Sequence, residues 1–87
     1  QGLEPVQART FNLIACNPPY PAGRQVVLSL LEEAYRALAP GGQLYIVGRT
    51  RQGVKTLAGL LREMFGNCRE VAKQGGYRVY VVEKDAL

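Results

Sequence analysis

The spacing of apolar residues changes along the chain, and each change marks a boundary between predicted elements. Residues 10–16 form a short, mostly apolar run, which is typical of a parallel strand buried on both faces. Residues 43–48, with Leu-Tyr-Ile-Val at their centre, predict a second strand. Residues 68–73 and 77–84 predict two more strands, joined by a hairpin turn at residues 74–76.

A helix is predicted between the first two strands. Apolar residues recur every three or four positions over residues 25–38, which indicates one buried face. The helix is expected to end at Ala39, because Pro40 cannot continue it and Gly41 and Gly42 allow a left-handed turn. The apolar positions of this face are Val27, Leu30, Leu31, Ala34 and Leu38.

A second helix is predicted before the third strand. Thr50 is a candidate N-cap residue, and Gly66 and Asn67 are typical of the end of a helix. The resulting order, β-α-β-α-β-β, indicates an α/β domain. The expected core positions of the second helix are Val54, Leu57, Ala58, Leu61, Met64 and Phe65.

The composition is that of one small globular domain. The 87 residues are 47% hydrophobic and 21% charged, which excludes a disordered chain. No apolar run approaches the roughly 20 residues that cross a bilayer, so no membrane partner is expected. Cys16 and Cys68 occupy predicted strand positions rather than a disulfide framework, which favours reduced thiols and a cytoplasmic location.

Missing residue types exclude several classes of site. The chain has no histidine, so it holds no Ser-His-Asp or Cys-His arrangement of its own. Asp85 is the only aspartate and the two cysteines are far apart in sequence, so no metal site is expected. The net charge of +4 permits a polyanionic partner such as RNA, and it is equally compatible with a solvated basic surface.

Asn17-Pro18-Pro19-Tyr20 follows the first predicted strand and carries the candidate chemistry. Proline lacks a backbone N–H and fixes φ, so two prolines at the end of a strand predict a stiff, extended ledge. Its carbonyls and the Asn17 amide are expected to face the crevice at the carboxyl ends of the strands, where open α/β sheets bind ligands. The alternative is a proline-stiffened loop or a segment that binds a partner in extended form.

With its context, the motif resembles class I S-adenosylmethionine-dependent methyltransferases that act on amino groups. The pattern is a hydrophobic strand, Asn-Pro-Pro-Tyr, a helix followed by Ala-Pro-Gly-Gly, and then Gln-Leu-Tyr-Ile-Val, and the resemblance extends over residues 11–84. It is similar to the small-domain branch that includes guanine methyltransferases of ribosomal RNA. The resemblance implies the C-terminal half of a Rossmann-like fold, with a mixed sheet whose last strand is antiparallel. Asn12 departs from the Asp usual in the family, at a peripheral position.

The resemblance also implies roles for individual residues. The Asn17 side-chain carbonyl and the Pro18 backbone carbonyl would accept the two hydrogens of an exocyclic amine, beside the sulfonium of S-adenosylmethionine. Pro19 belongs to the same catalytic motif, and Tyr20 would stack on an unpaired or flipped-out base. The residues expected to bind the RNA substrate are Tyr20, Arg24, Arg49 and Arg51.

The glycine-rich half of the family fold is not found in residues 1–87, so the chain is expected to be a partial domain. Most of the S-adenosylmethionine site would then lie outside it, and the chain alone would be inactive. Right-handed crossovers would place both helices on one face of the sheet and leave the other face bare, with the first strand at an open edge. We therefore expect the missing N-terminal half or a second copy of the chain to cover that face.

Two other functions remain open at this point. The same motif serves N-methyltransferases that act on protein glutamine or on adenine, and the +4 charge only mildly favours RNA over glutamine. A non-catalytic half-domain that binds RNA or assembles with a partner is the third possibility, and binding of the cofactor distinguishes it from the other two.

Overall fold

The computed structural model describes residues 11–86, and within them four strands form one mixed sheet with two helices. Short 3-10 turns at Tyr20–Ala22 and Thr50–Gln52 precede the helices. Thr10, the first residue of the first predicted strand, lies outside the described residues. The elements are β1 (Phe11–Cys16), α1 (Arg24–Ala37), β2 (Leu38–Arg49), α2 (Val54–Phe65), β3 (Arg69–Gln74) and β4 (Tyr77–Glu83).

The strand order is β1-β2-β4-β3. β1 and β2 are parallel, and β4 is antiparallel to both of its neighbours. This confirms the predicted α/β fold with a mixed sheet whose last strand is antiparallel. Among the described strands β1 pairs with β2 alone, so it forms the edge that the handedness of the crossovers predicted.

Both helices lie on the same face of the sheet, as predicted. Their apolar stripes and the inward side chains of β2 and β4 form one core cluster. Tyr35 of α1 stacks on Phe65 of α2, with 4.1 Å between the ring centroids. Neither helix within residues 11–86 is long and apolar enough to span a bilayer. The largest fully buried side chains are Leu31, Leu38, Leu44, Ile46, Leu61, Val54, Val81 and Val82.

The opposite face, which we call the open face, has no helix or strand packed on it among the described residues. Side chains alternate along a strand, so Tyr45 and Val47 of β2 point away from the helices. They pair with Val81 and Val79 of β4, which therefore share the open face. Leu13 of β1 also lies there and is 58% exposed. The described part of the chain thus has a largely apolar sheet face with no covering layer, although Val81 on that face is only 2% exposed.

The end of α1 differs from the sequence-based prediction. The helix stops at Ala37 rather than Ala39, and β2 begins at once with Leu38. Lys84 explains both changes. Its Nζ donates hydrogen bonds to the carbonyls of Leu38 at 2.9 Å and Arg36 at 3.3 Å, at the end of the helix where a cation also complements the helix dipole.

The backbone of Lys84 continues the sheet through the predicted Pro-Gly-Gly turn. The Gly41 N–H donates to the Lys84 carbonyl and the Lys84 N–H donates to the Gly42 carbonyl, both at 2.9 Å. The turn is therefore part of β2. Of the two glycines, Gly41 takes the left-handed conformation that was predicted for both, with φ 83°.

Other boundaries moved by a few residues. Gly53, not Thr50, is the N-cap of α2, because Thr50 begins the preceding 3-10 turn. Met64 was expected in the core but is 42% exposed, and Phe65 occupies the space beside α1 instead. Cys68 precedes β3 rather than lying in it. The predicted hairpin is a two-residue turn at residues 75–76, where both glycines have positive φ, as such turns require.

Candidate active site

Asn17 lies directly after β1, on the rim of the sheet where the parallel strands β1 and β2 end. The residue is exposed. Within residues 11–86 its side-chain amide has no hydrogen-bond partner. An amide carries one carbonyl oxygen and two N–H donors. Asn17 therefore presents an uncommitted acceptor at the edge where α/β sheets bind ligands.

The two prolines form a turn rather than the extended ledge that was predicted. Pro19 has φ −78° and ψ 75°, the values of an inverse γ-turn, and the Tyr20 N–H closes the turn by donating to the Pro18 carbonyl at 2.9 Å. The prediction was wrong because it considered the N–H groups that the prolines lack and not the one that Tyr20 contributes. Pro18 is a buried residue, and because a carbonyl oxygen has two lone pairs, its oxygen keeps one lone pair beyond the bond from Tyr20.

The side chain of Tyr20 turns back onto β2 and packs against the core cluster. Its hydroxyl donates a hydrogen bond to the Val47 carbonyl at 3.0 Å. Burial of the phenol raises the pKa of Tyr20 to about 12, and the neighbouring Cys16 adds to the shift by repelling the phenolate. Tyr20 is therefore a neutral hydrogen-bond donor at physiological pH, with its ring fixed at the hydroxyl end.

A crevice of about 270 Å³ opens between the first turns of α1 and α2. Tyr20 and Arg24 line it from the α1 side, and Gln52, Gly53 and Thr56 line it from the α2 side. Neither helix has an acidic residue in its first turn or a side chain that caps it. The positive ends of both helix dipoles are thus not neutralised by the first turns themselves, which favours an acceptor-rich or anionic ligand.

The three arginines that the sequence singled out do not form one cluster. Arg24 is the first residue of α1 and lines the crevice, and Arg51 is exposed in the 3-10 turn before α2. Arg49 ends β2 on the open face, where its guanidinium lies 4.7 Å from the centroid of the Tyr77 ring and its Nε donates to the Tyr77 hydroxyl at 2.8 Å. The structure therefore brings Tyr20 and Arg24 together and places Arg49 on the other face of the sheet.

Sequence reasoning missed the part of β2 that receives Tyr20. Gly48 and the Val47 carbonyl lie under its ring and hydroxyl, yet in the sequence Gly48 indicates only the end of a strand. Gln52 was also missed, and its Oε1 accepts the Arg49 N–H at 2.9 Å, which fixes the turn beside the crevice. Cys16, the last residue of β1, is a free thiol whose pKa is raised by burial.

Comparison with known proteins gives a consistent result. A family model described as methyltransferase small domain matches residues 1–81. An uncharacterised protein of Bacillus subtilis, YbxB, is 35% identical over 77 residues, which are 88% of this chain and 38% of that protein. The ribosomal RNA large subunit methyltransferase G of Shewanella amazonensis is 36% identical over 70 residues, which are 76% of this chain and 18% of that enzyme.

A solved structure also matches the fold. It is the T. thermophilus 16S rRNA N2 G1207 methyltransferase, RsmC, in complex with AdoMet and guanosine. The TM-score is 0.82 and the identity 31%, over 92% of this chain and 22% of that protein. The chain thus spans well under half the length of each of these proteins.

Proposed function

Because the chain belongs to the methyltransferase small domain family, we propose that it supplies the amine-binding half of an S-adenosylmethionine-dependent methyltransferase, with the exocyclic amine of guanine in ribosomal RNA as the acceptor. The observation that carries the proposal is the exposed Asn17 amide at the carboxyl end of β1, which has no partner within residues 11–86. The relatives support the choice of substrate, since one is a ribosomal RNA large subunit methyltransferase and the other is a 16S rRNA N2 G1207 methyltransferase solved with guanosine.

In this proposal Asn17 and Pro18 bind the acceptor amine. The Asn17 side-chain carbonyl accepts one amine hydrogen, and the free lone pair of the Pro18 carbonyl accepts the other. Two acceptors at these positions would orient the nitrogen and oppose the spread of its lone pair into the base, and such placement of reacting groups accounts for much of the catalysis. S-adenosylmethionine, when bound, supplies an electrophilic methyl group, and Asn17 and Pro18 are the residues of this chain that would lie against it.

Pro19, Tyr20 and the basic residues would hold the base and its flanking phosphates. Pro19 is the centre of the γ-turn that sets the angle between Asn17 and Tyr20. The Tyr20 ring forms one wall of the crevice and offers a flat surface on which a flipped-out base can stack. Arg24 and Arg51, exposed beside the crevice, would contact phosphates, whereas Arg49 lies on the open face against Tyr77 and is not given this role.

We also propose that residues 1–87 are a partial domain. The apolar open face would be covered by the family's N-terminal half, which would carry most of the S-adenosylmethionine site, or by a second copy of the chain. The isolated 87-residue chain should then bind S-adenosylmethionine weakly or not at all in calorimetry, and sedimentation should show association. A compact, cooperatively folding monomer of this chain at micromolar concentration contradicts the covered-face proposal.

The activity is tested with the protein at its natural length, unmodified ribosomal RNA and radiolabelled S-adenosylmethionine, followed by mass spectrometry of the digested nucleosides. We expect N2-methylguanosine. Detection of methyladenosine would indicate that adenine is the acceptor, and label in a glutamine-containing protein fraction would indicate that glutamine is. RNA binding without any methyl transfer would overturn the enzymatic proposal and leave a non-catalytic RNA-binding half-domain.

A further inference from the structure

Tyr20 and Gly48 fit together more closely than any side chain on Gly48 would allow. A Cβ atom placed on Gly48 would overlap the Tyr20 hydroxyl oxygen and lie 2.7 Å from Cζ and 3.0 Å from Cε2. Real Cβ atoms essentially never approach other atoms below 3.0 Å. The tyrosine ring can therefore reach the Val47 carbonyl only because residue 48 has no side chain.

The backbone conformation of Gly48 does not require glycine. The described glycines with positive φ are at positions 23, 41, 53, 66, 75 and 76, and Gly48 is not one of them. Glycine within a strand destabilises it relative to alanine, and it often marks a place where another group approaches closely. The close approach of Tyr20 is the feature of the structure that accounts for glycine at this position.

Backbone hydrogen bonds of Tyr20 connect it to the turn that carries the proposed amine-binding groups. Its N–H holds the Pro18 carbonyl at 2.9 Å, and its own carbonyl accepts the Gly23 N–H at 3.1 Å, immediately before α1. The ring is thus anchored on β2 while the main chain holds the turn that carries Asn17 and Pro18. If the ring leaves β2, the turn loses this anchor, so Asn17 and Pro18 are held less firmly relative to the end of β2.

We infer that Gly48 is a positioning residue for the proposed methyl transfer: it receives the Tyr20 ring on β2 and thereby fixes the amine acceptors on Asn17 and Pro18. This inference rests on the proposed function for its effect on activity, but the fit of the two side chains can be tested without activity. A displacement of about 1 Å in an active site can cost about 100-fold in rate. Gly48→Ala should therefore lower kcat about 100-fold, with a smaller rise in the KM for RNA that reflects the displaced stacking surface of Tyr20.

The control is Gly59→Ala, a second glycine-to-alanine change in the same domain. Gly59 lies in α2, and a Cβ atom there would meet nothing within 4 Å. This variant should keep the wild-type kcat and be slightly more stable, since alanine favours a helix over glycine. Equal losses of kcat in the two variants would overturn the inference.

A double-variant cycle separates positioning from general damage. In a Tyr20→Ala background the clash partner is gone, so adding Gly48→Ala should cause no further loss of kcat or stability. If Gly48→Ala remains equally harmful without the tyrosine ring, the fit with Tyr20 is not the reason for the glycine. The free energies of unfolding in this cycle test the fit of Tyr20 and Gly48 even if the natural-length protein has no methyltransferase activity. The inference about Gly48 and the proposed function can therefore be refuted independently.

Tyrosine ionisation provides a readout that needs no folded Gly48 variant. Tyrosinate absorbance is recorded by rapid mixing, before the protein unfolds at alkaline pH. Subtracting the signal of Tyr20→Phe from that of the wild type isolates the titration of Tyr20. The fitted ring should ionise near pH 12 rather than at the ordinary value of 10.0. In Gly48→Ala, if it folds, the value should fall toward 10.0 as the ring becomes solvated. A Tyr20 pKa near 10.0 in the wild type would show a solvated ring; together with equal effects of Gly48→Ala in the presence and absence of Tyr20, it would overturn the inference.

Discussion

Replacement of Asn17 by alanine tests whether the rim of the sheet is a catalytic site or only a surface loop. Asn17 is exposed and its amide has no partner within residues 11–86, so Asn17→Ala should change the free energy of unfolding by no more than about 0.5 kcal/mol. Its effect on catalysis should be much larger, because the amine would lose one of its two acceptors.

The size of the expected loss follows from two contributions. One neutral hydrogen bond is worth about 0.5–1.5 kcal/mol, which is roughly a 2- to 12-fold effect on kcat/KM. An amine held by the Pro18 carbonyl alone is also free to turn away from the methyl donor, and misplacement costs up to about 100-fold. We therefore expect kcat/KM to fall by about 10- to 100-fold, most of it in kcat.

Asn12→Ala is the matched control, because Asn12 is also an exposed asparagine and lies on β1, the strand that Asn17 follows. Methyl transfer to RNA is measured for both variants in the natural-length protein, alongside urea unfolding. Asn12→Ala should leave both quantities unchanged. If Asn17→Ala retains the wild-type kcat, or if it destabilises the fold by several kcal/mol, Asn17 is not the acceptor and the proposed site is wrong.

Three further predictions concern stability, and all are measured by urea unfolding. Leu31 is 0% exposed, so Leu31→Ala should cost about 2–5 kcal/mol. Asn67 donates to the Glu83 carbonyl and accepts its N–H, both at 2.8 Å, so Asn67→Ala should cost about 1–3 kcal/mol; an unchanged midpoint would show that these bonds are replaced by water. A 2.7 Å hydrogen bond from Arg78 holds the pKa of Glu70 in the folded protein below its ordinary value of 4.5. The ionised Glu70 side chain therefore contributes stability above pH 4.5, and this contribution is lost as the pH falls through the pKa of Glu70 in the folded protein. The difference in stability between wild type and Glu70→Gln should accordingly shrink in that acidic window, and a difference that grows there would contradict the assignment.

Local patterns determined the elements and their order. The change between helical and strand periods identified all four strands and both helices within residues 11–86, and the paired glycines at residues 75–76 identified the hairpin. These features depend on residues close together in sequence, so they can be predicted from the sequence alone. Crossovers between parallel strands are right-handed, and this rule was enough to place both helices on one face of the sheet and to leave the open face bare.

Contacts between distant residues decided the rest. Lys84 ended α1 from 46 residues away, and Tyr20 found the Val47 carbonyl 27 residues along the chain. Such pairs cannot be predicted from a local pattern, because the residues around each partner in the sequence are compatible with many different tertiary contacts. The sequence by itself therefore determined a proline motif at the end of a strand and the fold that presents it. Only the tertiary structure decided that the motif is a γ-turn, that its tyrosine rests on a glycine in β2, and that Arg24 and Arg49 lie on opposite faces of the sheet, since these depend on how separate segments pack together in space.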